Sequence, residues 1–222
     1  MDVKLKRIDP VGKQKERGPD SGSGLSPMDP PDAYAPPSVD PVAPAQMHRF
    51  LRQYVDEHAS FLQQLTALEA AIASIQETGY TRESDARLRH FFNFFDEEFI
   101  PHHRREEAAL FPLLHARLIE QGEHSKAEIP ATAIDLMQDE HIKALQLAAV
   151  VLNFMGLAFR FPDERSRLVV LDAALEQAKM LVELLRLHIF REDNLVFALA
   201  HRLISAAEFD ALQSKTVAAR SA

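Results

Sequence analysis

At 222 residues, 46% hydrophobic and 26% charged, the chain is long enough for one packed domain and an appendage. Its net charge of −8 disfavours non-specific attraction to nucleic acid, and the lack of cysteine excludes disulfides, thiolate metal ligation, iron–sulfur clusters and cysteine nucleophiles. No apolar run follows Met1 to Arg7, and the most apolar stretch, Leu147 to Phe159, is shorter than the roughly 18 residues of a membrane span, so a cytoplasmic protein with no membrane partner is expected.

Residues 1–45 are expected to form a disordered arm. Nine of the 13 prolines lie there, glycine and serine cluster from Gly18 to Ser26, and acidic and basic charges nearly cancel. Such a segment buries too little apolar surface to order itself. It carries no docking motif, so any partner of the arm is unspecified.

Residues 46–222 are expected to form one helical domain. The spacing predicts a first helix over about 46–77, stopped by Gly79. Thr81 opens a second that runs to about 120 and stops at Gly122, with Pro101 and Pro112 expected to kink or divide it. Thr132, with Asp135 three residues on, opens a third that reaches about 159. Asp163 caps a fourth that reaches about 203, and Ser205-Ala-Ala-Glu208 is a capping box for a short fifth. No period-two pattern competes. The fold class is therefore all-α: an up-down-up-down antiparallel four-helix bundle with a short C-terminal fifth helix and the disordered N-terminal arm.

Each long helix carries an apolar stripe with spacings of three and four. The stripes are Leu51, Tyr54, His58, Leu62, Leu65; Phe99, His102, Glu106, Ala109, Leu113; Ile134, Met137, His141, Leu145, Ala148, Leu152; and Leu181, Leu184, His188, Glu192, Leu195, Leu199. Every stripe has a polar insert at its middle. In an antiparallel bundle these inserts meet at one level. The second and fourth helices both carry His-x-x-x-Glu, which sets imidazole and carboxylate one turn apart on one face. Four imidazoles and two potentially bridging carboxylates suit two metal ions about 3.5–4 Å apart. The alternative, a hydrogen-bonded polar layer, requires two buried carboxylates neutralised by histidine alone, which is expensive. No histidine has a glutamate three residues before it, and His-Glu-x-x-His is absent, so ferritin-like and zinc-protease templates are unsupported.

Four segments carry a family resemblance: Asp56-Glu-His58, His102-His-Arg-Arg-Glu-Glu-Ala-Ala-Leu-Phe-Pro112, Asp139-Glu-His141 and His188-Ile-Phe-Arg-Glu-Asp-Asn-Leu-Val-Phe197. Over about residues 47–200 the chain resembles hemerythrin-like (HHE cation-binding) proteins. The resemblance implies two non-haem iron ions, oxo- or hydroxo-bridged, within a four-helix bundle. His58, His102, His141 and His188 would be terminal ligands, and Glu106 and Glu192 the bridging carboxylates. His103 and Glu107 repeat the His102–Glu106 spacing, but Phe111-Pro112 and the apolar stripe both select His102 and Glu106. His103 and Glu107 are then expected beside the site. His103 and the other histidines, 48, 90, 115, 124 and 201, are expected at the surface or at caps and not as ligands.

Oxygen-carrying members use two histidines on the third helix; here Met137 and Leu145 flank His141 at four residues. A six-ligand set is more similar to the branch tied to iron-centre repair and nitric-oxide stress, whose members usually carry an N-terminal cysteine pair that this chain lacks. The implied function is binding or sensing of a small diatomic ligand, oxygen or nitric oxide, by a monomer or homodimer. The alternatives are a stress or repair role (iron donation, or reduction of peroxide or nitric oxide) and an interaction module stapled by a metal such as zinc. Binding is favoured over catalysis because no general acid outside the ligand set stands out. The run Phe91, Phe92, Phe94, Phe95 and Phe99 is expected to pack the core, with Phe94 or Phe95 a candidate for exposure.

Overall fold

The computed structural model describes residues 39–220, with side chains through residue 214. The expected arm lies outside the described residues up to position 38. Of its last residues, Val39 and Val42 pack against the core. A short turn at Pro44–Gln46 leads into the first helix.

All regular structure among the described residues is helical. Helix α1 is Arg49–Thr78, α2 spans 82–120, α3 is Ala133–Ala158, α4 spans 164–203 and α5 is Ala206–Arg220. The caps are those the sequence specifies. Thr81 and Ser84 form a reciprocal capping box, as do Thr132 and Asp135. Asp163 accepts from Ser166 N–H, and Ser205 exchanges bonds with Glu208. Gly79 stops α1 at φ 85°, ψ 175°, backbone territory that is essentially glycine-only.

The helices pass one another in a fixed sense. Tyr54 and His58 on α1 meet His102 on α2, while Phe61 meets Phe99 and Phe94, so α1 and α2 run in opposite directions. His58 meets Asp193 on α4 and Glu69 meets Arg186, which gives α1 and α4 the same relation. The core falls into two apolar clusters. One gathers Phe61, Leu65, Phe91, Phe95, Phe99, Leu181 and Ile189; the other gathers Leu51, Tyr54, Leu110, Phe111, Leu114, Phe197 and Phe209. Phe94 and Phe95 are both sheltered: Phe95 is buried, and Phe94 packs edge-on against Phe61 and Phe99.

Two of the predicted stripes are displaced by one position in places. On α3 the buried line is Met137, His141, Ala144, Ala148, Val151, while Leu145 and Leu152 are exposed at 44% and 50%. From His141 the buried line steps by three and then four, where four and then three was expected. Leu62 is likewise exposed, and Phe61 takes the inward place. By length and composition α3 could cross a membrane, with a mean hydropathy of 1.4 over its best window. In this fold it packs between α2 and α4 and buries Glu140 and His141.

Candidate metal centre

Three turns in the two long composite helices are widened. Backbone N–H groups of Ile100, Phe111 and Phe197 donate to the carbonyls five residues back, at Phe95, Glu106 and Glu192. Two of these turns also accommodate a proline. A proline ring clashes with the carbonyl four residues before it. For Pro101 and Pro112 that carbonyl belongs to Glu97 and Ala108, each inside a widened turn. The expected kinks are thus absorbed, and α2 continues. The third, at Glu192–Val196, has no proline, but like the second it begins at a site glutamate. Each such turn inserts one residue into the helical count. After Glu106 the buried positions are therefore Leu110 and Leu114, whereas the expected Ala109 and Leu113 are only partly buried. After Glu192, Val196 is buried and Leu195 is only partly so.

The structure brings His58, His102, Glu106, His141, His188 and Glu192 together, each 2% exposed or less. The histidines form two facing pairs. Nε2 of His58 lies 3.1 Å from Nε2 of His102, and Nε2 of His141 lies 3.1 Å from Nε2 of His188. Both carboxylates span the two pairs. Glu106 sets one oxygen 3.4 Å from His102 and the other 3.6 Å from His141. Glu192 sets one oxygen 3.2 Å from His58 and the other 3.2 Å from His188. None of these four buried oxygens accepts a hydrogen bond. A buried carboxylate left so is costly unless a cation compensates it. Four imidazole nitrogens and four free carboxylate oxygens in a space of this size are a donor set that fits metal ions.

The outer nitrogen of every ligand-facing imidazole is held by a carboxylate. Nδ1 of His58 meets Asp193 at 2.8 Å, that of His102 meets Glu57 at 2.7 Å, that of His141 meets Glu107 at 2.8 Å and that of His188 meets Glu140 at 3.0 Å. Arg105 pairs with Glu57, and Arg191 with Glu140. Such bonds fix the tautomer that points Nε2 inward and raise its basicity. Phe197 stacks on His58 and Phe111 on His141.

The site is built twice from one pattern. Asp-Glu-His at 56–58 and 139–141 matches itself, as does His-x-x-Arg-Glu-(Glu/Asp) at 102–107 and 188–193. Every bond above has a counterpart in the other half.

With only protons to neutralise it, this cluster is strongly perturbed. Burial alone pushes the His58 imidazole down, but Asp193 and Glu192 outweigh it and hold it at about 10. Burial likewise opposes the charged form of His188, and Glu192 with Glu140 lifts it to about 10. Burial favours the neutral Glu192 carboxyl, yet His188 and His58 hold it well below the usual carboxylate range. His103 goes the other way: burial, then the charges of His141, His188 and His102, keep its imidazole neutral.

Sequence reasoning missed Glu57, Glu140 and Asp193, because they fall off the apolar stripes. The internal repeat is the signal that would have found them. Glu107 and His103 lie beside the site as expected, but His103 is not at the surface, because His141 and His188 pack against its ring. Glu107 is 41% exposed at its side chain, whereas His103 is 6% exposed and closely packed. Of the remaining histidines, His48 caps α1 by accepting from Phe50 N–H, and His201 is exposed.

A family model described as the hemerythrin HHE cation-binding domain matches residues 49–200. The chain belongs to the hemerythrin HHE cation-binding family. Comparisons with curated proteins and with solved structures returned no match. The hemerythrin match spans α1 through most of α4, and every residue of the cluster falls within it. Cation binding by this hemerythrin domain accords with the buried His/Glu clusters.

Proposed function

We propose that this domain runs up-down-up-down and holds two iron ions, through which it binds or senses oxygen or nitric oxide. His58 and His102 would hold one ion, His141 and His188 the other, and Glu106 and Glu192 would be shared. The observation that carries the reading is the division of each carboxylate between two histidine pairs, with no hydrogen bond to any of its oxygens. Bound iron supplies reversible affinity for a small diatomic molecule. The chain supplies the rest. Asp193, Glu57, Glu107 and Glu140 hold the imidazole protons on Nδ1, leaving Nε2 as donor. Phe61, Phe99, Phe111 and Phe197 give the histidines an apolar surround that excludes water. Carboxylates next to the site are committed to imidazole, which favours binding over proton-transfer chemistry.

The test begins with metal content after expression in iron-replete medium. Two irons per chain, with spectral changes on adding oxygen, azide or nitric oxide, are expected. Zinc, or iron without any spectral response, would overturn the reading. Repeated turnover of nitric oxide or peroxide would shift it to a stress-response role.

A further inference from the structure

We propose that the outer face of the α3–α4 hairpin docks a second copy of this chain, joining two domains about a two-fold axis. Twelve large hydrophobic side chains are exposed among the described residues, and ten of them lie between Leu136 and Phe190, on α3, α4 and the turn that joins them. Helix α1 carries one, Leu62, and α2 none. From residue 144 to 159 the chain has no charged residue, yet Leu152 and Leu157 of that stretch are 50% and 41% exposed. Met180 and Leu187, seven residues apart on one side of α4, are also exposed. A helix face turned to water normally carries polar residues.

The internal repeat supplies the control. Aligning Asp139-Glu-His141 on Asp56-Glu-His58 sets Leu152 and Phe159 opposite Glu69 and Gln76. Aligning His188 on His102 sets Phe190 opposite Arg104. All six side chains are exposed. One half of the domain thus meets water at these positions with polar groups, and the other presents apolar ones, the mark of a covered surface.

Size and chemistry select the occupant. Helix α3, with 26 residues, is about 39 Å long, and α4 packs along it. With axes about 10 Å apart, the pair presents a face of roughly 800 Å², about what each partner gives to a standard interface. A two-fold contact sets this face against itself, so apolar meets apolar without a second kind of surface. The chain's own N-terminal segment is too poor a cover: residues 1–38 hold no phenylalanine and only Leu5, Ile8 and Leu25 among leucines and isoleucines. Lipid is disfavoured because Asp172, Glu176 and Glu183 are exposed along α4, whereas Lys179 and Arg186 are already paired with Glu176 and Glu69.

Sedimentation velocity on the full chain tests the proposal. Twice the chain mass of 25.0 kDa is expected at micromolar concentration. Leu152→Glu gives the face the residue of the other half and should weaken self-association at least about a hundredfold, with helix content unchanged. Met180→Glu checks the same face from α4 should the first variant lose helix. Ile129→Ser, off the face and 77% exposed, should leave the dimer intact. A single-chain mass for the native protein, with or without binding to phosphatidylserine vesicles, would overturn the proposal. So would folded Leu152→Glu and Met180→Glu variants that associate as tightly as the native chain.

Discussion

The carboxylate of Glu57 accepts the Nδ1 proton of His102 across the α1–α2 contact at 2.7 Å, although its own neighbour in the chain is His58. Glu140 repeats the crossing, bonding His188 rather than His141. Each histidine is thus oriented by a carboxylate on another helix.

Glu57→Gln removes the charge that steadies His102 while keeping the shape. Iron affinity should fall by roughly 10–100-fold, the usual effect of losing a partner behind a metal-ligating imidazole. Chelator competition measures it. An unchanged affinity would mean that Arg105 and burial, not Glu57, set the His102 ring.

Glu106→Gln and Glu192→Gln should weaken the fold both with and without metal. In the metal-free protein each carboxylate is the counter-charge of imidazoles that it raises, so its neutralisation should lower the melting temperature. The iron-loaded protein should lose the stabilisation that binding confers. Melting curves with and without chelator test both halves of this expectation.

Protons and metal compete for the same nitrogens. In the metal-free state His58 and His188 are raised to about 10, above the ordinary imidazole value. Their protonation therefore stabilises the metal-free fold fully below about pH 6.5, and that contribution is lost as pH rises through about 10. Metal requires the neutral imidazoles. Iron affinity should rise with pH from 6 to 9, and neutral-pH binding should release protons, measurable by titration calorimetry in buffers of differing ionisation enthalpy. A pH-independent affinity would show that the histidines are already neutral.

The drift of the α3 stripe is open to a stability test. Leu145→Ala, at an exposed position, should change stability by no more than about 0.5 kcal/mol. Ala144→Leu, at a position 1% exposed, should overpack the core and cost about 1–3 kcal/mol. Urea denaturation would show the reverse order if Leu145 faced inward.

Pro112→Ala probes the widened turn at Glu106. Its counterpart in the second half of the site is Ala198, and that half forms the same turn. The turn should persist, iron content should be unchanged, and stability should shift by less than about 1 kcal/mol. Loss of iron would show that the proline sets the Glu106 position.

Helix ends were legible in the sequence because capping is local. Thr81, Thr132, Asp163 and Ser205 each satisfy backbone groups within three residues, and no distant contact is needed. The six converging residues were legible because charge and imidazole interrupt apolar stripes. What lay hidden depended on register. Leu145 and Leu152 lie one position beyond the buried Ala144 and Val151, and steps of three and of four both stay near one helix face. Leu110 and Leu114 face inward only because the turn at Glu106 holds an extra residue. His103 is adjacent to His102, and neighbours on a helix normally diverge by about 100°, so its burial depended on how closely α3 approaches. Glu57 and Glu140 sit beside ligands in sequence, but their partners are some 45 residues away, at His102 and His188.

The crossed carboxylates also act as a vernier for the bundle. Bonds from Glu57 to His102, Asp193 to His58, Glu107 to His141 and Glu140 to His188 tie all four long helices at one height. Apolar packing alone tolerates sliding, since one leucine resembles the next a turn away. A helix displaced by one turn, about 5.4 Å, would keep much of its greasy contact and lose every one of its polar latches at once. Axial alignment of the helices is thereby written into the same residues that face the ions.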